Sequence, residues 1–466
     1  MREPHVVILG GGPAGVGAAY YLRKRNRGRV TLLEQQPVVG GNAGSFEIDG
    51  LRVDHGSHRL HHSCAPHILS DIESLLGGDL SSRPRQGRIR LRGRWLRFPL
   101  KPADLLLRLD PGFALGAAAD MVRRALPGGP PEGDTFASVL RANLGGTICE
   151  HFYFPYARKI WGHEPEALSG IQARRRVSAG TFSKLLKRLV KTPGAGRFYY
   201  PRRGFGQISE AYAEAAAGLG ADLMLGWRVS GLRQGADGVW TVTVERAGER
   251  REIAADHVWS TLPTPLVARM LTPAAPAEVL EASGRISYRA MVLVYLALDR
   301  QRFTATDAHY FPEAAVAFTR VSEPKNYSGV EEPRGRTVLC AELPASVDGE
   351  VWRMTDAELG ARVAADLARA GLPLGAPPAA VHVRRLRQAY PIYLMGYEQP
   401  FGVLDRWAES LSNFLIYGRQ GLFAHDNTHH ALYMAWAAVD CMQDGRFDAS
   451  RWREYREEFK GHVVED

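Results

Sequence analysis

The amino-acid sequence predicts an α/β fold whose parallel sheet starts near the N-terminus, with a second part of mixed α+β character. Residues 5–9 (HVVIL) form a short apolar run that is typical of a buried strand. A glycine turn at 10–15 leads into a helical segment, and residues 30–34 (VTLLE) follow as a second strand. Strand, turn, helix and strand within about 30 residues are the order of a mononucleotide-binding βαβ unit.

The rest of the chain alternates between helical and strand-like patterns. Strand patterns recur between 221 and 263 and between 284 and 346, and the composition of 127–134 is that of a loop. Helices are expected over 99–126 with a break near Pro111-Gly112, from 136 to about 190, over 355–371, and from about 430 to 443.

Length and charge narrow the classes of protein that the chain can be. Its 466 residues exceed what one core usually covers and predict two or three domains. The net charge of +9 leaves three interpretations open: solubility, an anionic substrate, or an anionic membrane surface. Nucleic acid is not an expected partner, because the chain contains no recognisable nucleic-acid module.

The cysteines and the apolar runs bear on the compartment. Cys64, Cys149, Cys340 and Cys441 are far apart and form no CxxC pair, which argues against a zinc ribbon or a disulfide framework and favours a reducing compartment. The N-terminus lacks a signal-peptide pattern, and no apolar run reaches the roughly 18 residues of a spanning helix. We therefore expect a cytoplasmic protein, at most peripheral to the inner face of the membrane.

The glycine turn carries the first functional signal. Gly10, Gly12 and Gly15 fit GxGxxG, in which they permit a tight turn, close approach of a pyrophosphate and close helix–strand packing. Pro13 and Ala14 complete the turn, at a helix N-terminus whose N–H groups and dipole favour anions. Glu34 ends the second strand, where the fingerprint requires an acceptor for a ribose hydroxyl.

A second glycine pair distinguishes between dinucleotides. Gly40, Gly41 and Asn42 follow Glu34 closely, so that a second turn returns backbone N–H groups to the cofactor. Simple NAD dehydrogenases lack this element. The sequence therefore predicts FAD as the cofactor, bound by a Rossmann-like domain.

These motifs resemble the FAD-linked superfamily of amine oxidases, protoporphyrinogen oxidases and UDP-galactopyranose mutases. After GxGxxG, the acidic residue and GG comes a D-x-G-x-H segment, here Asp54 to His58 (DHGSH). Residues 259–263 (WSTLP) resemble the strand that returns to the FAD domain, Arg228-Val229 the segment that reads the adenine, and 417–427 (YGRQGLFAHDN) the closing flavin motif. The resemblance spans roughly residues 5–443.

The resemblance is greatest to a mutase-like and protoporphyrinogen-oxidase-like branch. Residues 154–178 resemble the Y-x-x-K-x-W-x-x-x-P-x-x-L motif of the mutases with its arginine-rich turn, and 198–211 and 288–291 follow in the expected order. One position departs, because His429 stands where family members often carry an acidic residue. That departure weakens the transfer of any single family activity.

The resemblance also implies the site residues. Catalytic roles are expected for His58 near the isoalloxazine, for Arg289, and for Arg419 beside the flavin N1–C2=O. Substrate contacts are expected from Trp161, Arg174, Arg175, Arg176, Tyr390 and Tyr393. FAD contacts are expected from Gly10, Gly12, Pro13, Ala14, Gly15, Glu34, Gly40, Gly41, Asn42, His58, Val229, Gly418, Arg419 and Asn427. No metal is expected, because the two histidine clusters, at 55–62 and 425–430, lack a motif such as HExxH.

The same resemblance predicts how the domains are divided. Segments 1–85, 200–280 and 390–445 should build the FAD-binding domain, 86–199 and 281–389 the α+β substrate domain, and 446–466 a C-terminal tail.

Three functions follow, and the first is favoured. The first is hydride transfer from a small, anionic or lipophilic substrate to FAD. The second is ring isomerisation of a sugar nucleotide through flavin N5 with no net redox change, and the third is a non-enzymatic FAD scaffold. The leucine clusters of 99–126, with Lys101, Arg108, Arg123 and Arg124, raise peripheral membrane contact as one reading beside internal packing. The oligomeric state is left open.

Overall fold

The computed structural model describes residues 3–98, 104, 108–125, 133–176 and 196–464. Its strands are β1 (His5–Leu9), β2 (Arg29–Glu34), β3 (Ser45–Ile48), β4 (Leu51–Asp54), β5 (Leu80–Pro84), β6 (Gly87–Leu91), β7 (Arg94–Phe98), β8 (Arg197–Pro201), β9 (Asp222–Leu225), β10 (Arg228–Gln234), β11 (Trp240–Arg246), β12 (Glu249–Ala255), β13 (His257–Ser260), β14 (Leu271–Thr272), β15 (Tyr288–Leu298), β16 (Ala308–Tyr310), β17 (Arg320–Ser322), β18 (Thr337–Ala345), β19 (Ala380–Pro391), β20 (Phe414–Ile416), β21 (Met442–Gln443) and β22 (Arg446–Phe447).

The longer helices are α1 (Pro13–Lys24), α2 (Pro66–Leu76), α3 (Pro111–Ala125), α4 (Phe136–Leu144), α5 (Phe154–Trp161), α6 (Gly170–Arg176), α7 (Gln207–Gly218), α8 (Thr264–Met270), α9 (Ala277–Gly284), α10 (Asp356–Arg369), α11 (Glu398–Ser410), α12 (Thr428–Asp440) and α13 (Ala449–Phe459). Within the described residues, no helix combines the length and the apolar character needed to cross a bilayer.

A parallel five-stranded sheet forms the first layer, in the order β20-β13-β1-β2-β9. Both of its faces are covered, which explains why β1 reads as an unbroken apolar run. Val6 and Ile8 join a core with α1 and α12, whereas Val7 and Leu9 face the core beneath the four-stranded sheet β12-β11-β10-β14. Helix α1 lies between α7 and α12.

The second layer is a seven-stranded sheet in the order β19-β15-β18-β17-β16-β6-β7. Its longest central strand, β15, is buried almost throughout and alternates between two cores. Val292 and Val294 pack with α10, while Leu293 and Tyr295 pack against the hairpin β3–β4. This hairpin follows the second glycine turn, so it links the two sheets.

Several predicted elements agree with the structure and others differ. The strands and the helix over 355–371 appear as β9–β13, β15, β18 and α10. The last predicted helix begins earlier, at Thr428, because Asn427 and His430 form a capping box. Segment 446–466, expected as a tail, contains α13, which packs against α12. Helix α3 begins at Pro111, which the first turn of a helix accommodates. Residues 177–190 of one predicted helical stretch, and 99–103, 105–107 and 126 of the other, lie outside the described residues.

Candidate functional site

The glycine turn leaves an open cradle at the N-terminus of α1. Gly12 is the N-cap residue, without a side-chain cap, and Pro13 occupies the first turn beside Ala14. A Cβ on Gly12 would meet no atom within 4 Å, whereas one on Gly15 would lie 1.8 Å from the Gly10 carbonyl oxygen. Gly15 is therefore fixed by internal packing. Gly12 instead borders free space in front of unsatisfied helix N–H groups, where a pyrophosphate fits.

Glu34 binds the cradle directly. Its Oε2 accepts a hydrogen bond of 2.8 Å from the Gly11 N–H, and its Oε1 accepts one of 2.8 Å from the Gln36 N–H. A carboxylate oxygen can accept more than one hydrogen bond, so Glu34 retains capacity for a ribose hydroxyl. Val229 is the second residue of β10. Two residues before it, the backbone N–H of Trp227 donates to the Glu34 carbonyl over 2.9 Å.

The second glycine turn and the closing motif meet the same helix terminus. The Gly40 N–H donates to the Gly11 carbonyl over 2.8 Å, and a Cβ on Gly41 would lie 3.3 Å from the Gly12 Cα. Gly418, with φ of +77°, approaches so closely that an added Cβ would lie 2.8 Å from the Ala14 Cβ. Three distant segments thus converge on one cradle through backbone contacts.

Beyond the cradle, Asn42 and Arg419 meet the end of β19. Asn42 Nδ2 donates to the Gln388 carbonyl over 3.1 Å, and Arg419 Nη2 donates to the Ala389 carbonyl over 2.8 Å. The Arg419 guanidinium also lies 5.3 Å from the centre of the Tyr390 ring. Asn427, the last residue of the closing motif, is the N-cap of α12, so a second helix N-terminus follows the motif directly.

His58 is held as a neutral ring. Its Nε2 lies 3.1 Å from the His55 carbonyl oxygen, and its ring stacks on Phe205 at 5.3 Å. Burial lowers the pKa of His58 to about 4, against the opposing charge of Asp54. This histidine is therefore uncharged at neutral pH, and its Nε2 donates to the His55 carbonyl.

An aromatic wall joins three parts of the chain. Trp161, at the end of α5, is fully buried and lies edge-on to Tyr390 at 5.8 Å and to His425 at 5.5 Å. Tyr390 and His425 lie 5.2 Å apart. His425 was not predicted as a site residue, although it stands in the closing motif; its sequence neighbours gave no sign that it would reach Trp161.

Arg289 contacts only neutral groups among the described residues. Its Nε donates to the Ile160 carbonyl over 3.2 Å, its Nη2 to the Lys159 carbonyl over 3.4 Å, and its Nη1 to Ser346 Oγ over 2.9 Å. Burial lowers the pKa of the guanidinium. The side chain therefore caps the C-terminus of α5, where a cation is favoured by the helix dipole. Its predicted catalytic role is untested by this geometry.

Arg174 and Arg175 of α6 have different surroundings. Arg174 forms a two-pronged ion pair with Asp134, at 2.6 and 2.8 Å, on the surface. Arg175 turns inward, 3.6 Å from Asp426 and 5.8 Å from the centre of the Tyr393 ring. The side chain of Arg176 lies outside the described residues.

Tyr393 has both hydrogen-bonding roles of its hydroxyl filled by the protein. The oxygen accepts from the His425 N–H over 3.0 Å, and the hydroxyl donates to the Phe423 carbonyl over 2.8 Å. The ring can still line a pocket, but the hydroxyl is committed to shaping the closing motif. Asp426, which follows His425, was not predicted as a site residue.

Asp426, His430 and His462 bring possible metal-ligand atoms within 4.8 Å of one another. However, the His430 and His462 rings are stacked, with centroids 4.1 Å apart and planes 10° apart. In-plane lone pairs of parallel rings do not converge on one point. His430 Nδ1 also accepts from the Asn427 N–H over 3.2 Å. The cluster fits a hydrogen-bonded anchor for the C-terminus better than a metal centre.

Comparisons with known proteins agree on one superfamily. A family model for flavin containing amine oxidoreductases matches residues 13–439. Chloroplastic protoporphyrinogen oxidase 1 of Arabidopsis thaliana is 24% identical over 491 residues, which cover 95% of this chain and 87% of that protein.

Solved structures share the fold at low sequence identity. A crystal structure of reduced UDP-galactopyranose mutase aligns with a TM-score of 0.83 and 20% identity, covering 100% of this chain and 98% of the other. Putrescine oxidase bound to putrescine aligns with a TM-score of 0.66 and 18% identity, covering 94% and 98%. At such identity these two likenesses bear on the fold alone.

Proposed function

The chain belongs to the family of flavin-containing amine oxidoreductases, and from that premise we propose that it is an FAD-dependent oxidoreductase that takes a hydride from a small molecule. FAD is the cofactor of this family, and the cradle at Gly12 has the open space and the helix N–H groups that its pyrophosphate needs. When bound, FAD supplies the hydride acceptor.

The observation that carries the proposal is the way the predicted arginines are used. Arg174 is paired with Asp134 and Arg289 caps α5, so two of the arginines predicted for the site bind groups of the protein. Binding of a sugar nucleotide usually draws on several guanidinium groups at once. A substrate of lower charge, held against Trp161 and Tyr390, fits these residues better.

The residues around the aromatic wall have different roles in the proposed reaction. Trp161 and Tyr390 form a wall that excludes water and orients the substrate. Arg419 holds a positive charge that favours an anion beside it. Neutral His58 donates its Nε2 proton to the His55 carbonyl, so its Nδ1 is the acceptor nitrogen and the ring adds no charge. His425 fixes the angle between the two aromatic rings.

A mutase acting on sugar nucleotides is the second candidate. Arg175 favours it, because this cation faces Tyr393 from inside the fold. In that case, the reaction would leave the oxidation state of the flavin unchanged.

One anaerobic experiment separates the two functions. The holoprotein is reduced, mixed with a panel of UDP-sugars, and examined for tight binding or product; oxygen consumption is measured separately with amines and with porphyrinogens. We expect substrate-dependent oxygen consumption by the oxidised holoprotein and no turnover of UDP-sugars by the reduced one. Isomerisation of a UDP-sugar by the reduced protein would replace our proposal with the mutase.

We also propose that α3 contacts an anionic bilayer at the inner face of the membrane of a cytoplasmic enzyme. Leu115 is 71% exposed and Val122 is 64% exposed, and Ala118 and Ala119 lie on the same outward stripe. An apolar stripe that faces outward, beside basic side chains, suits the interface of an anionic bilayer.

A further inference from the structure

The loop from Asp54 to Arg59 carries His58 and lies between the two sheets. Its first carbonyl, that of Asp54, accepts a hydrogen bond of 2.6 Å from the Tyr295 hydroxyl of β15. At its other end, Arg59 donates to the Tyr310 hydroxyl over 2.9 Å and to the Tyr327 hydroxyl over 3.0 Å. The loop belongs to the chain segment that follows the glycine turns, yet Tyr295 and Tyr310 lie in the seven-stranded sheet, and Tyr327 lies in the short helix Pro324–Ser328 that follows β17.

A single ion pair of that sheet holds the centre of the loop. Arg320 of β17 and Glu342 of β18 are cross-strand partners, joined by two hydrogen bonds of 2.9 and 2.8 Å. Glu342 Oε1 accepts from the Ser57 N–H over 2.9 Å, and Arg320 Nη2 donates to the Ser57 carbonyl over 3.3 Å. Both backbone polar groups of the residue before His58 are thus bound by one buried pair.

Burial makes this arrangement unusual. The Arg320 and Glu342 side chains are 11% and 4% exposed. A buried ion pair contributes little net stability compared with apolar residues of the same size, because both charges lose their hydration. What such a pair does provide is direction, since its hydrogen bonds fix the groups that they reach. Here they reach the peptide groups on both sides of Ser57.

Other contacts fix the loop on its remaining sides. The Asp54 carboxylate accepts from Ser45 Oγ over 2.6 Å and from the Phe205 N–H over 2.9 Å. Phe205 in turn stacks on the His58 ring. The ring therefore has Phe205 on one face, and its backbone is set by the ion pair.

We propose that Arg320 and Glu342 are positioning residues, which hold the Ser57 backbone so that His58 keeps its place and direction at the flavin. Through these two residues, the seven-stranded sheet sets the position of His58. The inference rests on the proposed function, in that it takes His58 to face the flavin.

The test uses the holoprotein with Glu342→Gln, Arg320→Lys and His58→Gln, alone and combined. Two quantities are measured: the ¹⁵N resonances of the His58 ring, assigned by their loss in His58→Gln, and the equilibrium constant for flavin reduction. Arg456→Lys is the matched control, since Arg456 is 18% exposed and pairs with Asp405 and Glu409, far along the chain from the loop.

If the proposal holds, Glu342→Gln shifts the His58 resonances and changes the reduction equilibrium about threefold or more, while FAD content and the control stay unchanged. In the His58→Gln background, Glu342→Gln then adds nothing, because its effect passes through the histidine. Arg320→Lys, which keeps the charge but loses the two-pronged geometry, gives a smaller change of the same kind.

Unmoved His58 resonances in a folded Glu342→Gln protein would overturn the inference, and so would effects of Glu342→Gln and His58→Gln that simply add. The failure of the proposed function looks different. There, His58→Gln leaves the flavin equilibrium unchanged, while Glu342→Gln still moves the His58 resonances.

Discussion

At the N-terminus of α1, the contacts that shape the site all involve glycine backbone, whereas around Trp161 and Tyr390 they all involve long side chains. Gly15 stands against the Gly10 carbonyl, and Gly40 donates to the Gly11 carbonyl. Trp161, by contrast, is placed by Tyr390, by His425 and by the cap that Arg289 gives to α5. At the first kind of site, an added side chain meets either the backbone, as at Gly15, or the open space that we assign to the cofactor, as at Gly12. The second kind depends on which partners the fold brings together.

The largest effect that this contrast predicts concerns two glycines three residues apart. Gly12→Val should abolish FAD binding, with a loss of affinity of about 100-fold or more, because the side chain occupies the space of the pyrophosphate. The apoprotein should stay folded, since a Cβ at this position meets nothing within 4 Å. Gly15→Val should lose both FAD and stability, because its Cβ collides with the Gly10 carbonyl. Bound FAD and thermal unfolding are measured for each variant.

Gly78→Val is the matched control, since an added Cβ there also meets no atom within 4 Å. Stoichiometric FAD in folded Gly12→Val protein would show that the cofactor does not use this cradle. Equal destabilisation by the two substitutions at 12 and 15 would show that the distinction between open and packed glycines is wrong.

The second prediction concerns Arg289. Its replacement by alanine should lower the free energy of unfolding by about 1–3 kcal/mol, because two helix carbonyls lose their donor. FAD absorbance should stay normal, while turnover falls or KM rises as Trp161 loses its support. Chemical denaturation and steady-state kinetics measure the two effects separately.

Arg385→Ala provides the comparison for that result. Arg385 also donates to two carbonyls, those of Trp352 and Met354, in a part of the seven-stranded sheet that the site does not use. Similar loss of stability with unchanged kinetics is expected for it. If Arg289→Ala changes the kinetics with no loss of stability, the cap is unimportant and the guanidinium binds substrate directly.

The same contrast explains how much the sequence could predict. Gly12 and Gly15 have local requirements, a tight turn and a close helix, which any reader of the motif can apply. Arg174 and Arg289 carry the right charge for a substrate, but their partners, Asp134 and the carbonyls of α5, are distant in sequence or belong to the backbone. Arg320 and Glu342 carried no signal, because only the register of β17 with β18 brings them together.

The third prediction tests whether the His58 ring is buried. Its pKa is about 4, below the ordinary value of 6.5. Between these values the unfolded chain binds a proton that the folded protein refuses, so stability falls as the pH is lowered from 6.5 toward 4. Compared with His58→Gln, the wild-type protein should lose about 2–3 kcal/mol of unfolding free energy over this window.

Denaturation at a series of pH values, with His58→Gln as the reference, measures the difference. Parallel pH profiles of the wild type and His58→Gln would show that the ring is hydrated and free to take up a proton.

The smallest expected effect concerns the surface of α3, which has no part in either half of the site. Leu115 and Val122 should enter the interface of an anionic bilayer, and exposed Arg123 should contact its headgroups. Each basic side chain near such a surface contributes about 1 kcal/mol, so binding should be weak and salt-dependent.

The purified protein is mixed with anionic or neutral liposomes and pelleted at low and at high salt. We expect partial pelleting with anionic liposomes and none with neutral ones. The double substitution Leu115→Ser, Val122→Ser should reduce the pelleting. The control Leu219→Ser, at the C-terminal end of α7, should leave it unchanged. Pelleting that persists in high salt would point to apolar insertion and a lipophilic substrate. Protein that stays in the supernatant with both kinds of liposome would contradict the membrane proposal and favour a water-soluble substrate.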